Sequence, residues 1–128
     1  MLALVVDDSR AMRMVLRRNL EQIGFTVIEA CDGTEGLDAM RSAPRVPDLA
    51  LVDWNMPKMD GLEFITAVRA ETAWRSMTVM MVTSEGEQSR VVQALTAGAH
   101  EYLMKPVQSA AMADKLGAHG MPHMAATA

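Results

Sequence analysis

The chain has 128 residues, half of them apolar, and a formal net charge of −4. That length fits one domain with a full core, and the acidic balance argues against a general nucleic-acid binder or a membrane-surface protein. Cys31 is the single cysteine, so no intrachain disulfide can form, and a reducing, cytoplasmic setting fits.

Leu2–Val6 is continuously apolar, as a strand buried on both faces should be. It has no basic lead and is too short for a signal peptide, so none is expected. Ser9 is placed to cap the next helix. Met12, Val15, Leu16, Leu20 and Ile23 recur along that helix at three- and four-residue steps, and Gly24 suits its end. Phe25–Ala30 is the second strand, Cys31-Asp32-Gly33 a turn, and Thr34–Ser42 the second helix. Pro44 and Pro47 punctuate the loop to the third strand, Asp48–Asp53. Met-Pro and Asp-Gly turn signals follow at 56–57 and 60–61. Leu62–Glu71 is a helix with Leu62, Ile65 and Val68 facing inward. Thr78–Thr83 is the fourth strand. Glu87–Ala97 is a helix with Val91, Val92 and Leu95 apolar, ended by Gly98. His100–Met104 is the fifth strand, and Val107–Leu116 a short, Ala-rich last helix. The expected domain spans residues 1–117, with 118–128 a flexible tail. No apolar run approaches the ~20 residues needed to cross a bilayer. Thirteen methionines against two Trp, one Tyr and two Phe suggest a core filled by flexible thioethers.

Strand alternates with helix throughout. The expected fold is therefore α/β: a doubly wound, five-stranded parallel sheet with helices on both faces, the flavodoxin-like class. In such a sheet the strand ends on one edge converge on a crevice where ligands bind. Four apolar runs here end in residues suited to phosphate or metal: Asp7-Asp8, Asp53, Thr83 and Lys105.

Three carboxylates gathered at strand ends repel one another. A hard divalent cation with oxygen ligands would make them compatible, and Mg2+ is the natural choice. An isolated Asp-Asp pair could merely open a helix, where acids complement the dipole; the matching residues at the other strand ends argue against that. Thr83 alone reads as an ordinary strand residue, and Lys105 as a surface lysine in a turn. Beside an Asp, their hydroxyl and ammonium can bind phosphoryl oxygens. A cis Lys105-Pro106 bond is accessible at modest cost and would aim the ammonium.

These residues sit in Val-Val-Asp7-Asp8-Ser9, Asp53-Trp-Asn-Met-Pro57, Met59-Asp60-Gly61-Leu-Glu63, Met81-Val-Thr83-Ser-Glu85, Ala97-Gly98-Ala99 and Tyr102-Leu-Met-Lys105-Pro106. Their order and placement resemble the receiver domain of bacterial response regulators, especially CheY-like single-domain members. The likeness covers about residues 2 to 107.

The resemblance implies a phospho-accepting switch of a two-component system. Asp53 would accept a phosphoryl group from a histidine kinase or phosphotransfer protein. Asp7, Asp8, Asp53 and the Asn55 backbone carbonyl would hold Mg2+, for which Mn2+ could substitute. Thr83 and Lys105 would contact the phosphoryl oxygens, and Tyr102 would be the switch aromatic. Asn55 and Glu85 would tune phosphoryl lifetime. The first helix, around Met12 and Val15, would dock the kinase, and the fourth helix, fifth strand and fifth helix would form the output face. A downstream protein target is expected, with no nucleic acid and no membrane, and the protein is expected to be a monomer in the cytoplasm. The short last helix departs from the longer, more charged one common in the family.

Three other readings are weaker. An aspartyl-nucleophile phosphatase typically needs a second acid two residues after the nucleophile, where this chain has Asn55. A flavodoxin-like cofactor binder needs a Ser/Thr/Gly-rich phosphate loop where this chain has Asp7 and Asp8. A pseudo-receiver would lack site residues that are all present. A phosphorelay carrier remains open. Chemotaxis is suggested by Trp54 and by the Asn55/Glu85 pair; an exposed loop aromatic is the plain alternative for Trp54. His119 and His123 lie four apart, but Gly120 and Pro122 break the helix a metal site would need.

Overall fold

Successive strand residues point to opposite faces, so a strand that is apolar at every position needs cover on both sides. The computed structural model, which describes residues 1–84, 88–105 and 107–120, supplies that cover. Its strands are β1 (Leu2–Val6), β2 (Thr26–Ala30), β3 (Leu49–Asp53), β4 (Thr78–Thr83) and β5 (Glu101–Met104). The helices are α1 (Arg10–Ile23), α2 (Gly33–Ser42), α3 (Gly61–Ala70), α4 (Gln88–Ala97) and α5 (Ser109–Ala118). A 3-10 turn at Thr72–Trp74 leads into β4. All pairings are parallel, in the order β2-β1-β3-β4-β5.

Alternation divides the core into two layers. Ala3, Val5, Leu49, Leu51, Met80 and Val82 face Leu16 and Leu20 of α1 and Met112 and Leu116 of α5. Leu4, Val6, Ala50, Val52, Val79 and Met81 face Met40 of α2, Phe64, Ile65 and Val68 of α3, and Ala94 of α4. Helices therefore lie on both faces, as the alternating pattern requires. Met77, Met80, Met81 and Met112 are wholly buried, so part of the methionine excess is core filling.

Local chemistry sets the element ends. The Ser9 hydroxyl accepts from the Met12 amide at 3.2 Å, and Gly24, at φ 112°, closes α1 in the left-handed region glycine tolerates. Asp32 and Asp60, read as turn residues, are in fact N-caps. Asp60 forms a reciprocal capping box with Glu63, at 2.8 and 3.1 Å.

Apolar period and burial do not coincide everywhere on the helices. Val15 of α1 is exposed, while Leu16 and Leu20 carry the packing. On α3, Ile65 and Val68 are fully buried and half-buried Leu62 packs against the same core, as expected, while Phe64 adds a fully buried place that the period did not mark. On α4, Val92 is 64% exposed and Leu95 42%, and the small Ala94 makes the buried contact. A ten-residue helix on a sheet already covered by α3 buries only one narrow stripe. The last helix begins two residues later than read and continues through Ala118. Glu85, Pro106, His123 and most of the expected tail lie outside the described residues. Among the described residues no helix is long and apolar enough to cross a membrane.

Candidate functional site

Parallel pairing puts the C-terminal ends of β1, β3, β4 and β5 on one edge. Asp7 and Asp8 follow β1, Asp53 ends β3, Thr83 ends β4 and Lys105 follows β5. Asp53 pairs in register with Val82, the residue before Thr83, and Thr83 pairs with Met104, the residue before Lys105. The four chemically distinct strand ends thus become neighbours.

Asp7 is fully buried, Asp53 nearly so, and Asp8 exposed. Each offers a carboxylate oxygen within 4.8 Å of the other two. The Lys105 ammonium donates to Asp53 Oδ1 at 3.1 Å and lies 3.6 Å from Asp7 Oδ2. Asp7 Oδ1 accepts from the Ser9 amide at 2.8 Å, but buried Oδ2 has no hydrogen-bond donor. One ammonium cannot neutralise three carboxylates.

The electrostatics follow from that imbalance. Burial, then the Asp7 charge, pushes the Asp53 carboxyl up to about 6, against the pull of Lys105. Burial also raises Asp7, despite the Ser9 amide and Lys105. Burial alone would lower Lys105, but its hydrogen bond to Asp53 and the two buried charges hold it above the ordinary lysine range. Low dielectric and like charge thus make the pocket hungry for a further cation. An orphaned buried carboxylate oxygen and three hard oxygen donors fit a divalent ion such as Mg2+.

Backbone packing holds this arrangement tightly. The Gly61 amide donates to Trp54 O at 2.9 Å, and a Cβ built on Gly61 would lie 2.3 Å from Asp53 O. Only glycine lets α3 start so close to the end of β3. Lys58, at φ 67°, turns the intervening loop through the left-handed region at some conformational cost. An open cavity of about 540 Å³ lies beside the carboxylates, lined by Asp8, Asn55, Met56, Pro57 and Asp60.

The remaining expected residues stand at varying distances from this centre. Thr83 is buried at the edge, but its hydroxyl donates to Met104 Sδ at 3.3 Å. Tyr102 is half-buried, pairs with Met81 and carries the Lys115 ammonium 4.0 Å from its ring centroid. Asn55 is exposed, with its side-chain oxygen accepting from Arg90 Nη1 at 2.8 Å. Trp54 is buried in the core, so the exposed loop aromatic is excluded; the Arg90 guanidinium lies 5.3 Å from its ring centroid.

Two contributors escaped the sequence reading. Arg13 Nη1 donates to Asp7 O at 2.6 Å while its Nε bonds Glu29 at 3.1 Å, tying the acidic pair to α1 and β2. Arg90 reaches the site rim from α4. Arg13 stands one turn after the capping Ser9, a position that could have flagged it. Arg90 contacts Asn55, 35 positions away, which no local pattern reveals.

Comparison with known proteins shows the family and the fold. The family model described as "Response regulator receiver domain" matches residues 3–117. A chemotaxis protein CheY homolog of Campylobacter jejuni is 41% identical over 114 residues, covering 88% of this chain and 87% of the relative. The solved structure of Vibrio cholerae chemotaxis protein CheY4 superposes with a TM-score of 0.83 at 31% identity, covering 91% of this chain and 96% of that one. A CheY-like receiver domain protein from Methanospirillum hungatei gives 0.80 at 31% identity, covering 92% and 91%. The chain belongs to the response regulator receiver domain family.

Proposed function

We propose that this protein is a phospho-accepting switch in which Asp53 receives a phosphoryl group from a phosphohistidine on a kinase or phosphotransfer protein. The single observation that carries the proposal is the buried, over-acidic cluster of Asp7 and Asp53 around Lys105, with Asp8 alongside. An Asp53 carboxylate oxygen would attack phosphorus as the nitrogen–phosphorus bond breaks, the other nitrogen of the phosphohistidine ring being protonated, which leaves an acyl phosphate and a neutral imidazole. Asp7, Asp8, Asp53 and the Asn55 carbonyl would hold Mg2+, with Mn2+ able to substitute. The metal, when bound, offsets charge on the transferring phosphoryl oxygens. Lys105 already donates to Asp53 and is placed to follow the charge onto the phosphoryl group. Thr83 would turn its hydroxyl to those oxygens, and Tyr102 would respond. A phosphoryl group binds one arrangement of these residues better than the other, which is the condition for a switch.

On this reading the protein is a regulator, not a classical enzyme; its only catalysis is its own phosphorylation and dephosphorylation. Asn55 and Glu85 would tune the lifetime. The receiver would occupy residues 1–117 with a flexible tail beyond, act as a cytoplasmic monomer, and bind neither nucleic acid nor membrane. Kinase docking is expected around Met12 and Val15; Met12 packs partly against the core, so exposed Val15 with Met14 suits that role on α1, and exposed Val92, Leu95 and Met104 suit a downstream protein target on the α4–β5–α5 face. The CheY names of its relatives favour a chemotaxis circuit over a phosphorelay. Acetyl phosphate with Mg2+ should add one phosphoryl group by intact mass, lost in Asp53→Asn. An unchanged mass under conditions that label a control receiver would sink the proposal.

A further inference from the structure

Thr83 has to give up one hydroxyl partner before it can bind a phosphoryl oxygen, and the resting partner is unusual. The residue is 1% exposed, and its hydroxyl donates to the thioether of Met104 at 3.3 Å. Met104 is its neighbour across the β4–β5 ladder. The Thr83 carbonyl accepts from the Lys105 amide at 2.7 Å, so the backbone is pinned and the side chain must turn. A buried hydroxyl with no acceptor loses its hydration uncompensated, and a thioether compensates only in part, being a weak acceptor.

We propose that Met104 is a positioning residue for phosphoryl binding: its sulfur holds the Thr83 hydroxyl in the resting rotamer, and the weakness of that bond sets how readily the switch turns. An acceptor that binds only the resting rotamer lowers apparent affinity for a phosphoryl group by the population it holds back. A hydrocarbon at 104 would release the hydroxyl. An amide oxygen there would hold it harder. The inference rests on the proposed role of Thr83 as a phosphoryl contact.

The test compares Met104→Leu and Met104→Gln with wild type in two readouts. One is Mg2+-dependent affinity for beryllofluoride, a phosphoryl mimic. The other is the Thr83 χ1 population of the resting protein, from NMR couplings. Met104→Leu should bind beryllofluoride about threefold more tightly and Met104→Gln about threefold more weakly, as expected for one weak hydrogen bond lost or strengthened. Thr83 should be rotamerically mixed in Met104→Leu and single in the other two. Both affinity shifts should vanish in a Thr83→Val background, which isolates the pair. Shifts in the same direction for Leu and Gln, shifts that survive Thr83→Val, or identical χ1 populations would each overturn the proposal. Wild type that binds no beryllofluoride would instead refute the phosphoacceptor reading, while the χ1 comparison still decides the role of Met104.

Discussion

Asp53→Asn should stabilise the metal-free protein. Folding lifts this carboxyl from an ordinary 3.8 to about 6, with burial and the Asp7 charge responsible. A raised folded-state pKa means the ionised group opposes folding. That rise corresponds to about 3 kcal/mol at neutral pH. Asparagine removes the charge but leaves Lys105 a poorer partner, so the expected net gain is about 1–3 kcal/mol. For a domain of this size, Tm should rise by about 3–10 °C. The sign fixes the pH profile: the penalty is complete above about 6, shrinks as pH falls, and is gone below 3.8. The advantage of the variant should shrink over the same window. Saturating Mg2+ should reverse the order, because a ligand that binds only the folded state stabilises it by mass action and the variant binds it less well. Urea titrations with Mg2+ and with chelator, across that pH range, read all three effects. A variant no more stable than wild type in chelator near neutral pH would refute the electrostatic reasoning.

Further expectations rest on other contacts. Mg2+ should quench Trp54 fluorescence, measured in a Trp74→Phe background, and Asp8→Ala should abolish the quench; a response that survives would remove Asp8 from the metal site. Gly61→Ala should cost about 1–3 kcal/mol, because its methyl would meet Asp53 O at 2.3 Å, and should slow phosphorylation by acetyl phosphate; equal stability and rate would show that α3 can move aside. His100 Nδ1 accepts from the Val79 amide at 3.1 Å and lies 3.2 Å from Arg69 Nη2, so the ring must be neutral, and burial with the Arg69 charge holds its pKa below 6.5. It should therefore cost stability as pH falls below 6.5 and none above. His100→Asn keeps an acceptor there, and its stability relative to wild type should rise on acidification; parallel pH profiles would contradict this.

How far the sequence could be read depended on range. Leu2–Val6, Leu49–Val52 and Val79–Val82 declare the strands they belong to because a strand buried on both faces is apolar at every step. Their ends declare the site because Asp7, Asp53 and Thr83 break that rule while staying buried. Helix faces were harder. Val15, Val92 and Leu95 fit a helical period yet face outward, because only a narrow stripe is needed where a helix meets the sheet. Trp54 left an exposed loop aromatic open as the plain alternative, because its membership of the core cluster with Phe64, Ile65 and Ala94 is not encoded in its neighbours along the chain. Arg13 on Asp7, Arg90 on Asn55 and Met104 on Thr83 are partnerships created by topology, and no spacing rule links such residues.

The central claim is that Asp53 accepts a phosphoryl group with the help of a metal held among Asp7, Asp8 and Asp53. Intact mass after incubation with acetyl phosphate, with Mg2+ or with chelator, tests it most directly. One added phosphoryl group in wild type, dependent on metal, mapped to Asp53 and absent from Asp53→Asn, is the predicted result. A phosphoryl group elsewhere, or one that forms equally well in chelator, would contradict the account.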